Sequence, residues 1–539
     1  MSPKPISPEE EYEFYKDPKN QEPQGSGRRR IGRFQIRRAL LSVWDKTGLV
    51  DLARALAAAG AEIVSSGGTA SSLREAGLEV RDVSDVTGFP EMLDGRVKTL
   101  HPKLHGGILA DRSKPEHMST ISEHGIEPID LVVCNLYPFD RQVAAGAPDS
   151  EAVPLIDVGG PSMVRAAAKN FASVGVVVSP DDYETVIAQI EEGGLTLETR
   201  RLLAAKAFST LSSYDASIAS WFGDDELLQK INVSAEMLEI LRYGENPHQR
   251  AAVYRLQGAS GGIAFAEQLQ GKELSFINYL DLDAAFRLSS AFVDPAACII
   301  KHTNPCGAAI GSDIDEAYRL AYECDTRSAF GGIVGLNRPV TAGVAEQMRE
   351  LFLECIVAPS FDKGALELFR KKKNLRLMLL PDDKWALDPI DMRSISGGLL
   401  LQTTDMLADD RYQMKVVSKR EPSESEWVDL LFAWTVCARV KSNSIVLANG
   451  RQAVGVGAGQ MSRVESFEIA IARAGDRAKG SVAASDALLP FADNVEVGAQ
   501  AGVTAIIQTG GSNRDSEVVA AADAAGMAMV MTGVRHFSH

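Results

Sequence analysis

Cysteine is scarce in this chain of 539 residues, and it is badly spaced for cross-linking. Cys134, Cys298, Cys306, Cys324, Cys355 and Cys437 are scattered through mostly apolar runs, and no two form a C-x-x-C pair. That spacing argues against a disulfide framework or a zinc site and reads as reduced core thiols in a cytoplasmic protein. Long apolar runs are missing as well. None approaches the roughly 18 residues of a membrane span, so no membrane partner is expected. The opening residues are rich in Pro, Glu, Lys and Gln without an apolar core, which does not fit a signal peptide. Positive charge is in deficit: 56 Lys and Arg stand against 72 Asp and Glu, a net charge of −16. A nucleic-acid footprint over the whole chain is therefore not expected, and any basic groups that meet anions must be gathered locally. What is present, 45% apolar and 24% charged residues, is ordinary for a soluble globular chain of several domains.

Residues 1–36 read as a disordered tail whose end is rich in arginine, from Arg28 to Arg30 and again at Arg33, Arg37 and Arg38. Order is expected from Ala39. The apolar run Ala39–Val43 predicts a strand, Leu49, Leu52, Ala53 and Leu56 predict a helix, and Gly60 ends it. A second strand, Ala61–Val64, leads into Ser65-Ser66-Gly67-Gly68-Thr69 and another helix, the strand–helix alternation of a parallel sheet. Further strands are expected at Leu131–Cys134 and Val174–Val178, with helices over about 182–192 and 196–222. The apolar pattern lapses near Gly223, so a first domain is drawn over 37–226 and a second over 227–539. In the second part strands are expected at 297–300, 332–335, 453–457 and 503–507, and a solvated loop around Lys371-Lys372-Lys373.

Several constellations could carry chemistry. Ser66-Gly67-Gly68-Thr69 lies between a strand and a helix, where free backbone N–H groups and the helix N-terminus suit an anion. Gly95-Arg96-Val97-Lys98-Thr99 puts two cations and a hydroxyl on one short turn. Tyr137 follows a strand end, Asp157 precedes the Gly159-Gly160 pair, and Lys169 closes a helix. Together they offer proton-transfer and oxyanion-holding groups around a phosphate cradle. In the second part the apolar run before Lys301-His302-Thr303-Asn304-Pro305-Cys306-Gly307 stops at a cation beside an imidazole. An ammonium there opposes protonation of the ring and keeps it ready to accept a proton. Asn304-Pro305 and Gly307 are expected to turn the chain. Lys301–Asn304 is weakly echoed by Lys441-Ser442-Asn443-Ser444, as two copies of one subdomain, or chance, would produce.

The ordered series SVWDKTG, SSGGTA, GFPEML, GRVKTLHP, NLYPF, IDVGGP and AAAKN, then LRYGENPHQ, FINYLD, KHTNPCGAA, VKSNSIVLA, GAGQMSR, SDALLPF and VRHFSH, resembles the bifunctional purine biosynthesis family. That family joins phosphoribosylaminoimidazolecarboxamide formyltransferase to IMP cyclohydrolase, and the likeness runs from about residue 39 onward. It implies an α/β chain: an N-terminal methylglyoxal-synthase-like parallel-sheet domain, then two cytidine-deaminase-like α/β subdomains split near 390–420. The implied reactions are formyl transfer from 10-formyltetrahydrofolate to the amine of 5-amino-4-imidazolecarboxamide ribonucleotide (AICAR), and cyclodehydration of the formylated product (FAICAR) to IMP. A homodimer is implied. No catalytic metal is, since Pro305-Cys306 lacks the second cysteine of a zinc deaminase; a monovalent cation is left open.

For ring closure the resemblance implies Lys98 at the oxyanion, with Tyr137, Asp157 and Lys169 moving protons. Ser42, Lys46, Ser66, Gly67, Gly68, Thr69, Arg96 and Thr99 would hold the nucleotide, and Asn135 and Gly159 would line the base. Trp44 departs from the family, which carries a small hydroxyl residue there in other members. For formyl transfer it implies His302 as proton acceptor, aided by Lys301. Arg242, Tyr243 and Arg535 would grip phosphate and ribose, and Asn278 and Asn443 would orient the carboxamide. Gly331, Glu354, Arg463, Asp493, Ser512 and Asn513 would meet substrate or folate, while Leu488 stands where some relatives have an aromatic. The competing reading is that only one half is active and the other is a phosphate-ligand-binding regulatory module.

Overall fold

The computed structural model describes residues 33–93, 95–223, 227–406 and 409–539. The chain divides into two compact units, Met1–Asp224 and Asp225–His539. Arg28, Arg29 and Arg30 lie outside the described residues. The end of the expected tail is ordered. Phe34 pairs with Leu195, Ile36 is buried, and the Arg200 guanidinium lies 4.3 Å from the Phe34 ring centroid. Arg38 is buried between Glu62 and Glu127, so it belongs to no exposed basic patch.

The first unit is a parallel five-stranded sheet. Its strands are β1 (Arg38–Val43), β2 (Glu62–Ser65), β3 (Arg81–Asp82), β4 (Leu131–Asn135) and β5 (Gly175–Val177), in the order β3-β2-β1-β4-β5. Because all strands run the same way, Val43, Ser65 and Asn135 end side by side. The strand after which the order reverses, β1, thus opens a crevice at the carboxyl ends, the usual place for a ligand in such sheets. Apolar side chains on both faces pack under helices, as the continuous runs in β1 and β4 require.

The second unit contains a twelve-stranded sheet with one sequence of elements used twice. A short edge strand leads to a helix, a two-stranded hairpin and then three strands alternating with helices. In the first copy these are Glu267–Gln270, the helix Phe276–Ser289, the hairpin Ala296–Lys301 with Asn304–Ile310, and Ile333–Leu336, Cys355–Ala358 and Arg376–Leu379. In the second they are Lys415–Val416, the helix Glu424–Cys437, the hairpin Ile445–Asn449 with Gln452–Gly457, and Val482–Ser485, Ala505–Gln508 and Ala528–Met531. The copies join where Ala309 pairs antiparallel with Gln452, so they are related by a local twofold.

The repeat extends to single atoms. Both helices open on a serine capping box, at Ser275 and Ser423. Asp281 accepts the backbone N–H groups of His302 (3.2 Å) and Thr303 (2.6 Å); Asp429 accepts those of Gly450 (2.9 Å) and Arg451 (2.6 Å). All four turn residues have positive φ, as a two-residue hairpin demands. The true counterpart of His302-Thr303 is therefore Gly450-Arg451, and the echo at Lys441–Ser444 is out of register. The turn itself lies earlier than expected. It is His302-Thr303, and Asn304–Ile310 is a strand that absorbs Pro305 at a register shift. The lysine run Lys371-Lys372-Lys373 lies outside helix and strand as expected, with Lys371 and Lys373 exposed, but Lys363–Phe369 before it is helical and Lys372 Nζ donates to the Leu351 carbonyl (2.6 Å).

Candidate active sites

In the first unit the crevice is built from three strand ends. Ser66 N-caps the helix Gly67–Glu75, and its buried hydroxyl has no hydrogen-bond partner among the described residues. An unpartnered buried hydroxyl at a helix N-terminus suits a phosphate oxygen. Lys98 Nζ lies 3.5 Å from where a Cβ on Gly67 would stand, so the ammonium sits at that same N-terminus. A side chain at position 67 would crowd it, and φ of +54° there favours glycine besides.

Asp157 stands on the other wall. Its Oδ1 accepts the Gly160 N–H at 3.0 Å, and its backbone N–H donates to the Tyr214 hydroxyl at 2.8 Å. Burial pushes its carboxyl above the ordinary range, against the pull of the Gly159, Gly160 and Val158 N–H groups and the Lys98 charge. Burial also raises the Tyr137 phenol, helped by the Asp157 charge. Gly159 approaches Thr99 closely: a Cβ there would lie 2.6 Å from Thr99 Oγ1. Lys98, Thr99, Tyr137, Asp157 and the Ser66–Gly67 cap are thus one group, with Trp44 edge-on to Tyr137 at 5.3 Å.

Other candidates are spent on structure. Thr69 Oγ1 bonds the Val43 N–H and carbonyl, tying the helix to β1. Asn135 accepts from the Trp44 and Asp45 N–H groups and donates to the Asp45 carbonyl, so it shapes the turn. Lys169 is the last residue of the helix Gly159–Lys169 that Asp157 precedes. Ten residues of α-helix put it about 15 Å along the axis from the cluster, beyond a lysine's reach, so within this unit it is not brought to the site. Ser42 is half-buried, Gly68 and the turn residue Lys46 are exposed, and so is Arg96 beside the Met92–Val97 bridge.

In the second unit the strand register decides which residues meet. Lys301, Ile333, Cys355 and Arg376 end one side of the first copy's strands, and Gly457, Ile445, Ser485, Gln508 and Met531 continue that side across the second. Along this one rim lie the Lys301-His302 turn, Gly331, Glu354, Asn443, Arg463, Asp493, Ser512, Asn513 and Arg535, each in a segment that enters or leaves one of those strands. Beside the turn is a cavity of about 230 Å³ lined by Lys301, His302, Cys306, Asp325 and Arg473, among others.

His302 is exposed, on a backbone pinned by Asp281. Lys301 Nζ donates to the Phe330 carbonyl (2.8 Å), which ties it to the Gly331 loop. Asn304 Oδ1 accepts the Lys441 N–H (3.0 Å), joining the turn to the segment that carries Asn443. Asn443 itself is held: Arg463 Nη2 donates to its Oδ1 at 2.8 Å, and its amide donates to the Gln460 carbonyl at 2.9 Å. Arg463 is buried against Asp486, so it positions Asn443 and is not free to meet folate. Asn278 is buried in the capping box, where its Oδ1 accepts the Ser275 N–H and hydroxyl. Glu354 pairs with Arg376 (2.6 Å). Asp493 and Ser512 each accept a nearby backbone N–H, while Asn513 and Arg242 are exposed, the latter 5.4 Å from the Tyr243 ring. Leu488 is half-buried. Cys306 lies in a strand, its thiol donating to the Ile299 carbonyl, with burial pushing it up to about 12. Sequence reasoning missed Asp281 and Asp486. Only the repeat of a helix aspartate before each hairpin could have flagged the first.

Comparison with known proteins supplies a second line. A family model described as the AICARFT/IMPCHase bienzyme matches residues 167–473, and one described as an MGS-like domain matches 48–162. The bifunctional purine biosynthesis protein PurH of Roseobacter denitrificans is 52% identical over 525 residues, covering 94% of this chain and 99% of that protein. Its namesakes from Bacillus mycoides (50% over 511 residues) and Halalkalibacterium halodurans (52% over 509) each cover 93% of this chain and 100% of their own. A crystal structure titled ForH is 42% identical, covers 35% of this chain and 99% of that one, and aligns with a TM-score of 0.32.

Proposed function

The chain belongs to the AICARFT/IMPCHase bienzyme family, and from that premise we propose how its two units divide the work. The protein is a bifunctional enzyme of purine biosynthesis, an AICAR formyltransferase and an IMP cyclohydrolase. The first unit, which carries the MGS-like match, closes the ring. The amide nitrogen of FAICAR attacks the formyl carbon, Lys98 receives the developing oxyanion, and the Ser66–Gly67 cap holds the phosphate. Asp157, its affinity for a proton raised by burial, takes the amide proton, and Tyr137 beside it serves the departing hydroxyl. Lys169 has no part in this scheme.

The second unit transfers the formyl group from a folate donor, 10-formyltetrahydrofolate. AICAR's amine is conjugated into its ring and nucleophilic only as it loses a proton, which His302 accepts. Lys301 stabilises the formyl oxyanion once it leaves the Phe330 carbonyl, and Arg535 holds the phosphate. The single observation that carries this reading is the rim, which gathers residues far apart in sequence around one turn. No metal enters the scheme.

His302→Ala should abolish formyl transfer and leave ring closure intact when FAICAR is supplied, whereas Lys98→Ala should let FAICAR accumulate. Loss of both activities in a folded His302→Ala protein would sink the division of labour. The protein acts as a cytoplasmic homodimer. Two exposed hairpins of apolar character support self-association, one with Met237, Ile240 and Tyr254, the other with Ile395, Leu399 and Leu400. Among the described residues no helix is long and apolar enough to cross a membrane.

A further inference from the structure

The last stretch of the second unit, residues 532–539, follows the strand Ala528–Met531 without regular secondary structure, yet it is firmly tied down. His536 is its anchor. The imidazole is almost fully buried, with Nδ1 2.6 Å from Asp405 Oδ2 and Nε2 2.6 Å from Asp409 Oδ2. A neutral imidazole has one N–H, and a carboxylate can only accept. Two carboxylates, one on each nitrogen, therefore call for a ring protonated at both. The Trp434 Nε1–H donates to that same Asp409 Oδ2 at 2.6 Å, so the oxygen that faces the ring also faces the indole N–H.

Burial by itself would favour the neutral ring, but the hydrogen bonds and charges of Asp405 and Asp409 outweigh it and hold the ring's pKa above the ordinary value. Among the described residues other charged groups also face this anchor. Arg439 Nη2 donates to the Asp405 carbonyl, and Asp486, whose carbonyl accepts the His536 N–H, has its carboxylate paired with Arg463. Lys441 Nζ donates to the His539 carbonyl at 2.7 Å and the Ser442 N–H to the Ser538 carbonyl at 2.8 Å. Since the Lys441 N–H is held by Asn304, this segment is joined to the His302 turn through two hydrogen bonds.

Arg535 immediately precedes the anchor. It is exposed, its guanidinium lies 4.3 Å from the Phe537 ring centroid, and among the described residues it has no carboxylate partner. A cation left without a counterion beside a fixed point is ready to meet an anion. We propose that His536 is a positioning residue for formyl transfer: clamped between Asp405 and Asp409, it fixes the segment so that Arg535 is presented to the phosphate of AICAR. This rests on the reading of Arg535 given above.

The sign of the pH dependence follows from the raised pKa. The clamp is complete on the acid side and is lost as pH rises through the folded-state value, when one ring nitrogen gives up its proton. The test compares wild type, His536→Gln, Arg535→Met and the double variant, all full-length. KM for AICAR and kcat of formyl transfer are measured from about pH 6 to about pH 9, the span in which a histidine titrates. The second unit's calorimetric transition reports its folding, and ring closure of supplied FAICAR serves as the unaffected control.

His536→Gln should raise KM about tenfold near pH 7 with kcat little changed, in keeping with a displaced charge-assisted contact. Wild type should show KM climbing on the alkaline side, and the variant should lack that limb. In the Arg535→Met background His536→Gln should add nothing. An unchanged KM in His536→Gln, with KM raised in Arg535→Met, overturns the clamp. An unchanged KM in Arg535→Met overturns the reading of Arg535 instead. If His536→Gln does not fold, nitrogen NMR of the wild-type ring decides, because a singly protonated His536 at pH 7 refutes the proposal.

Discussion

Asp281 and Asp429 hold the same position on two copies of one helix and perform the same task, yet they should differ in what their loss does. Each is buried and accepts two backbone N–H groups of a hairpin whose residues sit at positive φ. Removing either carboxylate leaves two donors unpaired, at a cost of about 2–3 kcal/mol. Asp281→Ala and Asp429→Ala should therefore lower the denaturant midpoint of the second unit by similar amounts. Only Asp281→Ala frees the turn that carries His302, so it alone should cut formyl transfer by more than the lost stability explains. Equal activity in the two variants at low temperature would show that the turn needs no pinning. At this scale the sequence singled out Lys98, Tyr137 and Asp157, and the fold brings these three into one crevice. It could not show that the side-chain oxygens of Asn135 and Asn278 and the Arg463 guanidinium already hold bonds within the fold. Composition cannot reveal a hydrogen bond already made.

Among the elements, apolar runs predicted strands within a residue or two: Ala39–Val43 became Arg38–Val43, and 332–335 became Ile333–Leu336. Periodicity worked because burial on both faces needs uninterrupted apolar residues. The turn after Lys301 was misplaced because Pro305 and Gly307 carry turn propensity, whereas the sheet overrides it. Gly307 is there for a close approach. A Cβ on it would lie 2.0 Å from the Ala321 carbonyl oxygen, and one on Gly455 would lie 2.1 Å from that of Ala470. Backbone atoms cannot step aside, so Gly307→Ala and Gly455→Ala should each destabilise the second unit by about 3 kcal/mol or prevent its folding. Calorimetry should show the first unit's transition unmoved; a variant as stable as wild type would mean that the helix can shift.

For the whole molecule, two compact units with separate cores account for two activities on one chain. The exposed apolar hairpins belong to no core, and light scattering should find a particle of twice 57.9 kDa. Leu400→Glu, which puts a charge on one of them, should shift the protein toward monomer and weaken formyl transfer more than ring closure. If the variant remains dimeric, the interface lies elsewhere.

By itself the sequence determined the α/β class and the family, because these depend on local patterns of burial and on short runs of residues. It could not determine which distant segments share a rim. The second unit's twofold reverses one copy against the other, and that reversal brings the second copy's loops and the 532–539 segment to the first copy's hairpin turn. Strand register, a long-range hydrogen-bonding choice, made that decision. His536 shows the difference most plainly: its identity is legible at position 536, but its charge is set by two aspartates more than a hundred residues away.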